Sequence, residues 1–322
     1  MTSDDVRPGG RPMTTRPGAA ARRAPASGLL LAAILALVWG CNWPVLKLGV
    51  TALPPLTFRG ATLPFAAIGL LAVSRLSGDS IRIPRALWGK LLALAMFNIA
   101  AWNGLILFGV QQMPAGRSAI LAYTMPVWTV LFGIALLHEP LSPRKIAGLV
   151  LGMLGMALLL GEDVRHLTRS PVGTLLILTA AVSWAFGTVL LRRWQPRLPQ
   201  NTLTGWMMLV GWLPIAATAP LLDPHPLASL AQMPGVAWFA ILYNIFLAGT
   251  VAHWAWFTMA RRLPVAVSSL SSLPVPVVGV LSGILFLGER PGPSEYLALV
   301  LVLAALGAVL FAPAAKPVAA PE

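Results

Sequence analysis

His253 is the residue of this chain with the most chemistry to offer. It stands in Ala252-His253-Trp254-Ala255-Trp256, inside an apolar run and about two turns before Arg261. Imidazole titrates near neutral pH, so a histidine at that depth is a candidate for proton coupling or solute binding. Its plainer role is a hydrogen bond to a neighbouring helix. Asn42, Asn98 and Asn103 are three more polar groups inside apolar runs. An amide both donates and accepts, which suits a zwitterionic solute and equally suits bonding between helices. Trp39, Trp184, Trp254, Trp256 and Tyr123 lie away from the ends of their runs. They offer walls for an apolar or aromatic solute, or simple helix packing.

Other side chains shape such a site without filling it. Pro126, Pro274 and Pro276 interrupt backbone hydrogen bonding inside apolar runs. Such breaks are tolerated where they line a cavity, so they mark the fourth and ninth runs as cavity walls. Arg59 lies a turn and a half into its run. It either snorkels to the headgroups or attracts an anionic solute. Glu139 and Glu289 begin turns and read as structural, capping a helix or pairing with a base such as Arg144 or Arg290. Cys41, the lone cysteine, reads as a small buried apolar residue. The sequence contains no metal-ligand cluster, no nucleophile triad and no Walker glycine loop, so neither a metal nor a cofactor is expected. Any movement of solute would draw on an ion gradient, on exchange or on downhill flow.

These groups must be positioned by lipid-embedded helices. The chain has 322 residues, 57% hydrophobic and only 10% charged. A soluble domain carries about 25% charged residues. Ten runs have the length and composition of membrane helices: 28–49, 54–74, 88–110, 116–137, 143–161, 171–191, 202–222, 236–260, 265–287 and 293–313. Residues 1–27, rich in Pro, Gly, Arg, Ser and Ala, read as a disordered cytoplasmic tail and 314–322 as a second cytoplasmic tail. The connections are short, which excludes a water-facing catalytic domain and argues against an enzyme. The net charge of +13 lies in the tail and loops rather than on a face interleaved with aromatics, which excludes nucleic acid as a partner. Most of the 23 Lys and Arg fall on one side if both termini are cytoplasmic, the orientation favoured by the positive-inside rule. Trp88, Trp194 and Trp238 sit at run ends, as interface anchors do.

The two halves copy each other. Adding 150 maps Pro114 to Pro264, Ser118 to Ser268, Pro126 to Pro276, Glu139 to Glu289 and Asn103 to His253. Five spans per copy, 28–161 and 171–313, is an odd number, so the second copy enters the membrane inverted. Gln111-Gln112 of one loop are replaced by Arg261-Arg262 in its counterpart, as expected if that turn faces the cytoplasm in the second copy only. Inverted repeats are a plan of secondary transporters, with the solute site between the copies. Gly148-x-x-x-Gly152, Thr129-x-x-x-Gly133 and Gly279-x-x-x-Gly283 permit close helix approach, within the bundle or in a homodimer through helices 5 and 10.

Trp39-Gly40-x-Asn42, Pro126, and the turns Glu139-Pro140-Leu141 and Glu289-Arg290-Pro291 resemble the EamA family of the drug/metabolite transporter superfamily. The resemblance covers about residues 28–313. It implies an all-α bundle of ten helices around a central cavity, moving amino acids or related small solutes by alternating access. The second copy reads Trp184-Ala185-Phe186-Gly187, without the Asn, so a contact through Asn42 is one-sided. The expected lining is Trp39, Asn42, Asn98, Asn103, Tyr123, Trp184, His253 and Trp256. A lipid flippase of the same fold is the alternative, with Arg59 and Arg117 as its basic pocket. The high Ala, Pro, Gly and Arg content fits a high-GC bacterial genome, which would place the protein in the cytoplasmic membrane.

Overall fold

The computed structural model describes residues 26–165, 171–223, 225–262 and 274–310. Among these residues the fold is entirely helical. The amino-terminal and carboxy-terminal tails lie outside them for all but a residue or two, as do Pro264 and Ser268.

Among the described residues eight helices are long and apolar enough to cross a membrane. We label α1 Ala26–Ala52, α2 Pro55–Leu76, α3 Arg85–Gln112, α4 Ala115–Leu137, α5 Pro143–Arg165, α6 Pro171–Trp194, α7 Gln200–Leu222 and α8, Gly235–Leu242 continued through Tyr243–Val251 and Ala252–Arg262. Two shorter apolar helices follow, α9 Pro274–Leu287 and α10 Pro293–Leu310. Phe65, Ile68, Phe246, Leu285 and Phe286 point outward and are more than half exposed. Surface of that kind has lipid as its solvent.

The helix contacts reveal the internal symmetry. Helices α2 and α7 pack together, as do α4 and α9, and α5 and α10. Each of these pairs joins equivalent helices of the two copies. The remaining large contacts come in exchanged pairs. Helix α1 packs on α8 and α9, and α6 packs on α3 and α4. The first helix of each copy therefore docks on the third and fourth helices of the other. Six helices, α1, α3, α4, α6, α8 and α9, form this interlocked centre.

Sequence explains where these helices bend. Helix α4 breaks at Tyr123-Thr124, and its second part opens at Met125 with Pro126 in the first turn. Helix α2 breaks at Ala61-Thr62, ahead of Pro64. Proline lacks the amide of a helix interior yet fits a first turn, so each break falls just before one. Pro274 opens α9 and Pro276 lies in its first turn rather than mid-span; residues 263–273 are outside the described chain. Gly148, Gly152 and Gly155 of α5 face inward. A Cβ on Gly148 would meet Val309 and Ala305 of α10, and one on Gly152 would meet Val127 of α4. The stripe serves packing within the bundle.

Candidate substrate site at the interlocked helices

Helices α3 and α8 share an unexpected feature. Each widens into a π-helix, over Met96–Ala101 in α3 and Tyr243–Val251 in α8. The repeat offset carries the first segment into the second. A π turn moves carbonyls off their regular partners and is common at functional sites. Polar side chains take up the displaced carbonyls. Asn103 Nδ2 donates to Ile99 O at 2.8 Å, and Thr250 Oγ1 donates to Ile245 O at 2.8 Å. His253 Nδ1 lies 3.0 Å from Ala248 O. A carbonyl only accepts, so Nδ1 carries the proton in that contact. Asn103 and His253, equivalent by sequence, thus have equivalent backbone roles.

The tryptophans of the first helices follow the same exchange. Trp39 of α1 meets α8: its ring is edge-on to His253 at 5.4 Å and 6.0 Å from Trp256. Its Nε1 donates to Ala248 O at 3.3 Å, and Tyr243 donates its hydroxyl to Val38 O at 2.8 Å. Trp184 of α6 meets α3: its ring lies 5.1 Å from Trp102, and its carbonyl accepts from Asn98 Nδ2 at 3.0 Å. Gly187 is required there, because a Cβ would collide with the Asn98 amide. Among the described residues no ring contact joins these two groups. Tyr123 is buried at the break in α4.

Among the described residues two acceptors in this region find no hydrogen-bond partner, Asn42 Oδ1 and Asn98 Oδ1. Buried polar atoms are nearly always paired, so such atoms call for an explanation.

Around the centre, charges fix the helix ends. The Glu289 carboxylate crosses from the turn after α9 to the start of α4. It accepts from the Ala115 amide at 2.5 Å and the Gly116 amide at 3.0 Å. Anions favour a helix amino terminus, where amides have no partner within the helix. Beside it, Arg117 is buried and pairs with Glu162 at 3.0 Å and Glu295 at 2.9 Å. A cavity of about 90 Å³ lies at this junction, lined by Gly116, Arg117, Val280, Glu289 and Glu295 among others. Lys47 caps the end of α3, donating to the carbonyls of Val110, Gln111 and Met113 at 2.8–3.0 Å. In the turn after α4, Glu139 pairs with Lys145 at 2.8 Å and with Arg192. Burial works to raise its pKa, but these two cations prevail and hold the carboxyl below its usual range.

Several sequence expectations change here. Arg59 does not snorkel: it is buried, with Nη1 on Asn244 Oδ1 at 3.2 Å. Arg117 belongs to an ion cluster and not to a headgroup pocket. Glu289 caps a helix of the other copy instead of pairing with Arg290, and Glu139 takes Lys145 and Arg192 in place of Arg144. Asn244, Tyr243 and Trp102 were overlooked. Asn244 was detectable as an amide in an apolar run, but the repeat maps it onto Leu94 and so gives no echo.

The architecture is that of a multi-pass membrane protein built from two interlocked copies of one helical unit. The family model for the EamA-like transporter family matches residues 26–161 and 171–311, and the chain belongs to that family. It is 30% identical to the uncharacterized inner membrane transporter YedA of Escherichia coli, over 92% of this chain and 95% of that one. It is 24% identical to the uncharacterized transporter YoaV of Bacillus subtilis, over 79% of this chain and 86% of that one. A protein of Escherichia coli named a probable amino-acid metabolite efflux pump is 27% identical, over 86% of this chain and 92% of that one. A solved crystal structure matches with a TM-score of 0.63 at 21% identity, covering 89% of this chain and 98% of that one, and shares the fold.

Proposed function

We propose that this transporter is a secondary carrier for small solutes, amino acids or their relatives, exporting them across a bacterial cytoplasmic membrane. It has ten spans and both termini in the cytoplasm. The observation that carries the reading is the exchanged docking of α1 on α8 and α9 and of α6 on α3 and α4. Two copies interlocked in this way can rock against each other, exposing the space between them to one side and then the other. All of the expected lining residues belong to these six helices: Trp39 and Asn42, Asn98 and Asn103, Tyr123, Trp184, His253 and Trp256. The orphaned Asn42 and Asn98 oxygens suit an ammonium or hydroxyl donor on the solute. Arg117, the flippase reading's second base, is already paired, so the solute carrier is preferred. His253 either couples protons or only holds the π segment.

Thermal unfolding of the purified protein against amino acids, nucleosides, organic cations and lipid phosphates tests the reading. A ligand bound only by the folded state stabilises it by about 2.7 kcal/mol at a hundredfold excess over Kd. Stabilisation by amino acids or similar solutes is expected. A response confined to lipid phosphates would contradict it.

A further inference from the structure

Arg59 is the one group whose chemistry the account so far leaves unused. It lies in the first part of α2, 8% exposed. Among the described residues the only hydrogen-bond partner of its side chain is Asn244 Oδ1, and its Nε has none. The ring of Phe58 lies 5.7 Å from the guanidinium carbon, and the Gly60 carbonyl next to it is taken by Trp212 Nε1. The side chain is thus held from α2 and the π segment of α8, and the backbone next to it from α7.

Among the described residues its charge has no counterpart. Glu162 and Glu295 are on Arg117, Glu139 is on Lys145 and Arg192, and Glu289 is on the α4 amides. Asp223 accepts from Thr57 at 2.6 Å and from the His225 amide. Asp79 lies beyond the far end of α2. A buried cation without an anion is costly, and an intramembrane base is a functional group by default. A guanidinium fork with an unused edge matches the two oxygens of a carboxylate.

We propose that Arg59, steadied by Asn244, is the subsite for a carboxylate on the transported solute, which supplies a counter-charge that none of the described residues gives it. The proposal rests on the carrier reading and adds the solute class: carboxylates, including zwitterions, over plain amines.

The test uses the purified full-length protein in neutral detergent, with sodium formate as the carboxylate probe and sodium chloride at equal ionic strength as the control. Formate is expected to raise the unfolding temperature of the wild type saturably, by roughly 2–4 °C. Arg59→Met should abolish the response and, without formate, unfold no lower than the wild type. Asn244→Asp places a carboxylate beside the guanidinium, so it should unfold higher than the wild type and ignore formate. An equal response to chloride, or a formate response that survives in both variants, would overturn the proposal. So would stabilisation by phosphatidylglycerol vesicles with none by formate, which assigns the site to a lipid headgroup. Solute exchange in proteoliposomes separates the two readings. Exchange without a formate response sinks the subsite and keeps the carrier. An Arg59-dependent formate response with no exchange of any solute keeps the subsite and sinks the carrier.

Discussion

The turn after α4 and the turn after α9 share a backbone and differ in what they hold. In each, the Glu amide bonds to a glycine carbonyl six residues back at 3.2 Å, Glu139 to Gly133 and Glu289 to Gly283. In each, the residue before the Glu has positive φ: 53° at His138 and 65° at Gly288. Both glycines leave room for the carboxylate. Yet Glu289 caps the helix of the other copy, while Glu139 holds two partly exposed bases. The amides that exchange of the copies would bring to Glu139, near residue 265, lie outside the described residues. The comparison teaches that the repeat preserved a backbone device for presenting a carboxylate, which among the described residues meets helix amides at Glu289 and two bases at Glu139.

The largest expected effect separates the buried Arg117 beside the turn after α9 from the half-buried Lys145 beside the turn after α4. Arg117→Ala leaves Glu162 and Glu295 without their cation and should cost about 3 kcal/mol in unfolding experiments. Lys145→Ala, at the sequence position equivalent to Glu295, should cost less than about 1 kcal/mol. Equal losses would mean that the two clusters are not different in kind.

A smaller contrast concerns the glutamates themselves. Glu289→Ala uncaps α4 and should destabilise by about 1–2 kcal/mol, whereas Glu139→Ala, which loses a half-buried pair with Lys145 and an exposed one with Arg192, should cost less, about 1 kcal/mol at most. Acid adds a second reading. Pairing depresses the Glu139 pKa in the folded state, so its contribution is complete above its unfolded value of about 4.3 and fades as pH falls through the folded value. Glu139→Gln should therefore lose less stability than the wild type on acidification below about pH 4. A steeper loss in the variant would reverse the sign of this argument.

The last prediction changes stability least and addresses the two π segments. Asn103 does by amide what His253 does by imidazole. His253→Asn should thus preserve the fold to within about 0.5 kcal/mol while removing the titrating group. If His253 couples protons, this variant exchanges solute normally but no longer accumulates it in response to a pH gradient. Unchanged pH-driven accumulation would leave His253 with its backbone role alone.

Much of the fold was legible because a membrane helix must be long and apolar, and because Pro126, Glu139 and their copies recur at one offset. The first-helix tryptophans and the polar pair Asn103/His253 were legible for the same reason. The π segments were not: they preserve composition and hydropathy, and only a shift in hydrogen-bond register reveals them. Arg59 was visible as a base near a membrane face, where snorkelling is the ordinary outcome. Its burial depends on Asn244, which lies 185 residues away and has no polar counterpart in the first copy.

The most direct test of the central claim is counterflow in proteoliposomes. Vesicles loaded with an unlabelled amino acid are given the labelled form outside, across a panel that extends to nucleosides and organic cations. The account predicts transient accumulation of label, for at least one amino acid or related solute, in vesicles containing the protein. Uptake no greater than in protein-free vesicles across the whole panel would contradict it.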